Sequence, residues 1–148
     1  MGQVPNTGTF SLYDVVDAIG LLSNASLDDC FDAANPAGFD SSYAGSKDRL
    51  SNFRNYDHDV PYISIDPTQL VDVPYSGGTY NIALSTNAAW SSSPSDTWIT
   101  RTPTSGSSST TVAVTIAFNG GVGRLGWITF SISGTNVTLS IQQLGFIK

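Results

Sequence analysis

The fold is decided by the stretch Val112–Gln143, which reads VAVTIAFNGGVGRLGWITFSISGTNVTLSIQQ. Apolar and polar side chains alternate in it along three runs, at residues 112–118, 127–132 and 137–142. Because successive side chains of a β-strand point to opposite faces, this alternation predicts strands with one apolar face. The positions predicted to face the core are Val112, Val114, Ile116 and Phe118 in the first run, Ile128, Phe130 and Ile132 in the second, and Val137, Leu139 and Ile141 in the third.

Turn-forming residues separate the three runs. Asn119-Gly120-Gly121 precedes the second run, and Ser133-Gly134-Thr135-Asn136 precedes the third. Gly and Asn tolerate the positive φ angles that tight hairpins need. The three runs are therefore predicted to pair as one antiparallel sheet, whose apolar face must be covered by a second layer.

The period of two extends back along the chain to Ile63. Further strands are predicted at residues 63–65, 70–75, 80–84 and 98–102. A Ser/Pro-rich loop is predicted before the last of these strands, and a polar turn after it, at residues 103–110. Seven short strands at this spacing are typical of an immunoglobulin-like β-sandwich.

Before residue 57 the apolar period is that of a helix. Ser11 and Ser26 can each cap a helix through the residue three positions on, which is Asp14 and Asp29 respectively. Gly20 can end the first helix, and a third helical piece is predicted at 46–53.

The predicted class is therefore α+β, a small helical N-terminal module followed by an all-β immunoglobulin-like sandwich. The expected organisation is a helical anchoring module at residues 1–56, with a flexible arm over the first nine residues, a linker at 57–62 and the sandwich at 63–146. About 50 residues are few for an independent core. The apolar residues of this module are therefore expected to pack on the sandwich or on a second chain, as oligomer or anchoring contacts: Leu12, Val15, Val16, Ile19, Phe31, Leu50 and Phe53.

Composition excludes several classes of function. Charged residues make up 12% of the chain, the net charge is −6, and Lys and Arg together number six. Such a chain cannot build a basic surface for nucleic acid. The single cysteine, Cys30, allows neither an intramolecular disulfide nor a cysteine-based metal site. No apolar run has the length of a membrane span, and the N-terminus lacks the pattern of a signal peptide.

Residues that could carry out catalysis are few. His58 lies between Asp57 and Asp59, but in extended chain the two carboxylates point away from the imidazole, so a solvated linker is the preferred interpretation. The chain has no Glu and no Gly-x-Ser-x-Gly motif. Asp28 and Asp29 fit the first turn of a helix better than a calcium loop. We therefore expect no enzyme, no catalytic residues, no metal and no cofactor.

Aromatic side chains are the candidates for sugar binding, because a flat ring can stack on the apolar face of a pyranose. Trp90 and Trp98 are interpreted as core residues. Trp127 is out of phase with Ile128 and should face away from the core. Trp127 and Tyr75 are the glycan-binding candidates, although a cover of helices or of a partner chain over Trp127 is the favoured alternative.

An ordered set of residues between Ile63 and Gly145 resembles the BACON domain, an immunoglobulin-like module common in Bacteroidetes proteins. The matching features are Gly77-Gly78, Asn87 with Trp90, Trp98-Ile99, Gly106, Asn119, Arg124 before the strand at 127–132, and the ending Ile141-Gln142-Gln143-Leu144-Gly145. The resemblance implies an immunoglobulin-like fold and an association with carbohydrate, notably mucin. It implies no particular binding residues.

The helical segment resembles a short module of structural proteins from Bacteroidetes phages, through SLYDVVDAIG, LDDCFDAA, FDSSY and DRLSNFRNY. The function expected first is thus a non-enzymatic phage virion protein, a head fibre, decoration or tail component. Such a protein is expected to be assembled in the host cytoplasm, released by lysis and present in many copies. The alternative is a bacterial extracellular carbohydrate-binding module or a fragment of a surface protein, at the cell surface or secreted.

The expected partners follow from both functions. Other virion proteins and further copies of the chain are expected, with weak binding to host or mucosal glycans such as mucin. Neither nucleic acid nor a membrane is expected as a partner.

Overall fold

The computed structural model describes residues 2–147. The chain divides into two compact units, and the boundary in the sequence falls between Val60 and Pro61. Each unit is described by itself. Two short helices precede a two-sheet β-sandwich, so the predicted α+β class is confirmed. Within the described residues, no helix has the length and apolar character needed to cross a bilayer.

Two capped helices begin the first unit. They are α1 (Leu12–Ile19) and α2 (Leu27–Ala33). Both begin with the predicted capping box, in which Ser11 pairs with Asp14 and Ser26 with Asp29. Helix α1 ends at Gly20, whose φ of 82° is the left-handed conformation that glycine adopts without a steric penalty. The rest of the unit contains only 3-10 turns, at Pro36–Gly38 and Leu50–Phe53, so the third predicted helix is shorter than expected.

The first unit has an apolar cluster of its own. Val15, Val16, Ile19 and Phe53 are buried in it, and Leu12, Phe31 and Leu50 are partly buried against it. Every member of the cluster comes from residues 4–56, so the expectation that this segment is too small to bury its apolar side chains is wrong. An interface role for the partly exposed Leu12, Phe31 and Leu50 stays a prediction.

Aromatic rings make this small core possible. Phe53 lies 4.6 Å from Phe31, 5.1 Å from Phe39 and 5.3 Å from Tyr56, between ring centroids. Large rings bury much area per residue and add favourable edge and offset contacts. Cys30 is buried in the same cluster, and burial raises the pKa of its thiol, which therefore stays protonated and unreactive near neutral pH.

The N-terminal segment is part of this unit, contrary to the expected flexible arm. The Gly2 N–H donates to the Ala18 carbonyl at 2.9 Å, and the Val4 N–H donates to the Tyr56 carbonyl at 2.8 Å. Val4 is fully buried in the apolar cluster. Residue 1 lies outside the described residues. The apolar Val4 anchors a segment whose polar composition suggested an arm.

His58 also belongs to the first unit, although the sequence suggested a solvated linker. Tyr56 Oη lies 2.7 Å from His58 Nδ1 and accepts the Asn35 N–H at 2.6 Å. The Asn35 amide group donates in turn to the carbonyls of His58 and Val60, at 2.9 and 2.7 Å. Burial raises the pKa of Tyr56 to about 12, so its phenol keeps its proton and can donate to Nδ1.

The Tyr56→Phe substitution is expected to destabilise the first unit by about 1–3 kcal/mol, because it leaves the buried Asn35 N–H without its acceptor. Hydrogen exchange of peptides from residues 2–60 should show faster exchange around Asn35. Tyr13→Phe is the control, since Tyr13 is exposed. Equal exchange in both variants would contradict a stabilising role for the Tyr56 hydroxyl.

The two capping boxes should make the first unit sensitive to acid. The Ser11 N–H holds the pKa of Asp14 below its usual value, and the Ser26 hydroxyl does the same for Asp29. A carboxyl with a lowered folded pKa contributes stability above its unfolded pKa of about 4, and this contribution is lost as the pH falls through the folded value. Below about pH 4 the helices should therefore lose protection against hydrogen exchange, measured relative to the intrinsic exchange rate at each pH.

The control is the double variant Asp14→Asn and Asp29→Asn, which removes both titrations. Its acid sensitivity should be smaller but still present, because Asn55 likewise lowers the pKa of Asp40 by a hydrogen bond. An acid response identical to that of the natural chain would show that the capping carboxylates are not its source.

The second unit is a sandwich of nine strands within the described residues. They are β1 (Ile63–Asp66), β2 (Gln69–Val73), β3 (Gly78–Thr86), β4 (Trp90–Pro94), β5 (Ile99–Thr102), β6 (Ser105–Gly106), β7 (Thr110–Ile116), β8 (Arg124–Ile132) and β9 (Thr135–Gln143). One sheet has the order β1-β3-β7-β5, and the other has the order β2-β9-β8-β4-β6. Among the strands of residues 2–147, only β2 and β9 pair in parallel. Strands β4 and β6 lie where loops were expected.

The three strands of the opening stretch were predicted to form one sheet, but in the structure they are divided between the two sheets. Strands β8 and β9 pair through nine residues each, but β7 pairs with β3 and β5 in the opposite sheet. The segment between β7 and β8 is therefore a crossover between sheets and not a hairpin. Phe118 lies in this crossover, after the end of β7, and is 60% exposed, so its predicted core position is wrong.

The other predicted core positions are buried, except Val137 and Trp98, which pack against the cluster and are partly buried. The two inner faces supply Ile82, Leu84, Val112, Val114 and Ile116 from one sheet and Ile128, Phe130, Ile132, Leu139 and Ile141 from the other. Trp90 is buried beside Phe130, with ring centroids 6.1 Å apart. This core holds β8 and β9 rigidly, so that their outer faces form a fixed surface.

Candidate functional site

Trp127 lies in the middle of β8 and faces away from the core. Its neighbours Gly126 and Ile128 are buried, while the Trp127 side chain is 51% exposed. Two hydrogen bonds with Ser95 hold the backbone of Trp127 in place. The Trp127 N–H donates to Ser95 Oγ at 2.9 Å, and the Ser95 N–H donates to the Trp127 carbonyl at 2.8 Å. A large ring is thus presented from a rigid strand, as the alternation predicts.

Trp127 lines a shallow groove of about 400 Å³ on the outer face of strands β2, β9 and β8. Its apolar lining comes from Leu70, Val71, Leu125 and Trp127. Val71 and Leu125 are exposed, like Trp127. Three exposed apolar side chains around one groove make it a candidate binding site.

Polar side chains lie between these apolar ones because of the strand register. Ser140 of β9 is the cross-strand partner of Trp127, and Gln142 is that of Leu125. On the other side of β9, Gln69 of β2 is level with Ser140. The groove therefore combines the Trp127 ring and aliphatic side chains with hydroxyl and amide groups. These groups can donate and accept hydrogen bonds without carrying charge.

The sheet beneath the groove is closely packed. A Cβ atom on Gly126 would lie 2.6 Å from Ile99 Cδ1 and 2.7 Å from Trp98 Cζ2, so only glycine fits here without movement. The Arg124 guanidinium lies over the Trp98 ring, 4.1 Å from its centroid. Trp98 is thus held between Gly126 and Arg124, and it supports the strand that carries Trp127.

A buried glutamine holds the adjoining end of the sandwich together. Gln143 is 1% exposed, and its Nε2 donates to the carbonyls of Ala117 and Pro74, at 2.9 and 3.1 Å. Its Oε1 accepts from Arg124 Nε at 2.8 Å. Ala117 follows β7 and Pro74 follows β2, so this one side chain joins the two sheets. The sequence showed Gln143 only as a polar residue at the end of a strand.

Tyr75, the other predicted glycan-binding residue, does not line this groove. It belongs to an exposed aromatic cluster, with its ring centroid 5.1 Å from Phe146 and 6.2 Å from Phe118. The structure thus places the two candidates in different environments. It adds Val71 and Leu125 to Trp127, and neither of these was a candidate from the sequence.

The groove is suited to holding a ligand, and its lining has few groups of the kinds used in catalysis. In residues 2–147 no group of three or more His, Cys, Asp or Glu side chains comes together as a metal site would need. None of the groove-lining residues is ionisable. A ligand would be held by apolar contact with Trp127, Leu125 and Val71 and by hydrogen bonds to neutral groups.

Comparison with solved structures supports the two-sheet fold. The chain is similar to part of a Bacteroides ovatus GH5 xyloglucanase solved in complex with a XXXG heptasaccharide, with a TM-score of 0.54 and 21% identity. The match covers 57% of this chain and 19% of the xyloglucanase, so the chain spans about a fifth of that protein. At this identity the similarity shows the fold alone.

Two MSP-family proteins of Caenorhabditis elegans are also similar. The first matches with a TM-score of 0.45 and 15% identity over 55% of this chain and 99% of its own, and the second with 0.41 and 11% over 56% and 96%. No curated protein sequence matches this chain significantly.

The sequence comparison agrees with the motifs that carry the BACON resemblance. Residues 88–144 match the model of the BACON family, described as "Putative binding domain, N-terminal". The matched region begins at Ala88, later than the expected start at Ile63, and includes Trp90, Trp98 and Trp127. The second unit of this chain therefore carries a BACON domain at residues 88–144.

Proposed function

We propose that the sandwich is a carbohydrate-binding module and that Trp127 is its stacking platform. One observation carries the proposal: a half-exposed tryptophan on a rigid strand, in a groove with the exposed Val71 and Leu125. The description of the matching family as a binding domain supports it. Of the two functions expected from the sequence, this is the extracellular carbohydrate-binding alternative.

The chemistry of the groove suits a sugar. The Trp127 ring can cover the apolar face of a pyranose, while Gln69, Gln142 and Ser140 can bond its hydroxyl groups. A shallow groove excludes little water, so the affinity of one site should be near millimolar, about −4 kcal/mol. The proposed role is therefore binding without catalysis, metal or cofactor, and retention on a glycan surface would come from several copies acting together.

Display on a phage virion, the function expected first, has no support in the comparisons. Its location and its virion partners stay predictions, and the same holds for assembly of several copies. One fold neighbour, with a TM-score of 0.54, is a xyloglucanase, which makes xyloglucan a suitable first probe beside mucin.

The test is binding of the full chain to a panel of soluble polysaccharides and mucin by affinity gel electrophoresis, followed by calorimetry. Trp127→Ala should weaken binding at least about tenfold and change the free energy of unfolding by less than about 1 kcal/mol, because the indole is half exposed. Tyr13→Ala removes an exposed aromatic residue from helix α1 and should bind like the natural chain.

Two results would overturn the proposal. No binding to any glycan at high loading would remove the function itself. Equal binding by the Trp127→Ala variant and the natural chain would move the site elsewhere, with the cluster around Tyr75 as the next candidate; Tyr75→Ala is therefore made in parallel.

A further inference from the structure

We propose that the Trp127 groove selects neutral glycans and rejects acidic ones, such as those with sulfate, sialic acid or uronic acid groups. This inference rests on the proposed function and concerns the chemical class of its ligand. Three features carry it: a groove lining without charge, two arginines of the sandwich that are occupied elsewhere, and two Asp residues linked to the lining residues.

The groove offers an acidic sugar no counter-charge. Its ten lining residues include none with an ionisable side chain. Sites that recognise carboxylate or sulfate groups generally use Arg or Lys, because a charge-assisted hydrogen bond replaces the hydration of the anion. An anion that gave up part of its hydration to contact this groove would gain only neutral partners, which is unfavourable.

Both arginines of the sandwich are occupied by internal contacts. Arg101 Nε donates to Ser92 Oγ at 2.9 Å. Arg124 stacks on Trp98 and donates to Gln143 Oε1 and to the carbonyl of Ala117. Neither arginine lines the groove. Within the described residues, the remaining basic side chains belong to the first unit, at Lys47, Arg49 and Arg54.

Two Asp residues are instead linked to the groove lining, one as a chain neighbour and one through hydrogen bonds. Asp72 follows the lining residue Val71 in β2. Asp96 accepts a hydrogen bond of 2.6 Å from Ser95 Oγ, which itself accepts the Trp127 N–H. Residues 61–148 contain three Asp and three Lys or Arg residues, so repulsion of an acidic glycan would come from these two carboxylates and not from the net charge. An acidic glycan would meet repulsion in addition to the missing counter-charge.

The test compares polymers that differ chiefly in charge: hydroxyethyl cellulose with carboxymethyl cellulose, and mucin with the same mucin after enzymatic removal of sialic acid and sulfate. The neutral member of a pair should bind about fivefold to tenfold more tightly at low salt, and the difference should shrink at 0.5 M salt as screening increases. Neutral xyloglucan and galactomannan widen the panel.

A pair of charge variants isolates the carboxylates. Asp72→Asn with Asp96→Asn should strengthen binding of the acidic polymers severalfold at low salt and leave neutral binding unchanged. Asparagine suits both positions, since Asp72 has a φ of 55°, which Asn tolerates, and an amide oxygen can still accept from Ser95. The control, Asp28→Asn with Asp32→Asn, changes the net charge equally in the first unit and should have no effect.

The outcomes separate the inference from the function. Preference for the neutral polymers supports both. Equal or tighter binding of the acidic polymers overturns the inference and leaves carbohydrate binding in place. Failure to bind any polymer overturns both. A natural chain that dimerises by light scattering, together with a monomeric Trp127→Ala variant, would assign the groove to a second copy of the chain and also overturn the inference.

Discussion

Gln143→Ala is expected to lower the free energy of unfolding of the sandwich by about 3–4 kcal/mol, the sum of two effects. The Nε of Arg124 loses its acceptor, which costs about 1–3 kcal/mol, while the Pro74 carbonyl loses one donor and keeps the Gly77 N–H. The smaller side chain also leaves a cavity, since Gln143 is 1% exposed.

Chemical denaturation followed by tryptophan fluorescence measures this effect. All three tryptophans lie between residues 90 and 127, so their emission reports on the sandwich and not on the first unit. Gln142→Ala is a matched control, because it removes the same side chain one position away, on the exposed face of β9. It should change stability by less than about 0.5 kcal/mol. Equal effects of the two variants would contradict the bridging role of Gln143.

Phe130→Ala is expected to cost about 3–5 kcal/mol, the range found for removal of a large buried aromatic ring. Phe130 is fully buried in the middle of β8, and its ring lies beside that of Trp90. Removing it takes apolar contacts from both inner faces at once, because side chains from the two sheets interdigitate in a sandwich.

Thermal and urea unfolding of this variant should show the loss of stability together with a change in the emission of Trp90. The control is Thr129→Ala, the next residue of the same strand, which faces outward and is only partly buried. A Phe130→Ala variant as stable as the control would show that the alternation along β8 has been assigned to the wrong faces.

Much of the fold follows from local patterns. The capping boxes at Ser11 and Ser26 depend on residues three positions apart, so the sequence alone contains all the information needed to place them. The alternation in 127–132 places Ile128 and Phe130 inward and Trp127 outward, and the structure agrees. Such features could be predicted because each involves neighbours along a single element.

Strand partners could not be predicted in the same way. Residues 112–118 alternate like those of β8 and β9, yet β7 pairs with β3 in the opposite sheet. A turn rich in Gly and Asn permits a hairpin and a crossover equally well, so the choice depends on which pairing buries both apolar faces. Similarly, nothing local to Val4 shows that it fits a cavity in the first unit, where it is fully buried.

The amino-acid sequence by itself determined the α+β class, the BACON resemblance and the outward orientation of Trp127, because these depend on residue type and on spacing within single elements. Only the tertiary structure decided what lies around Trp127. Val71 lies 56 residues before Trp127 in the chain and joins it because β2 pairs in parallel with β9, which pairs with β8. Long-range pairing of this kind depends on the whole core, so the groove and its uncharged lining exist only in the folded sandwich.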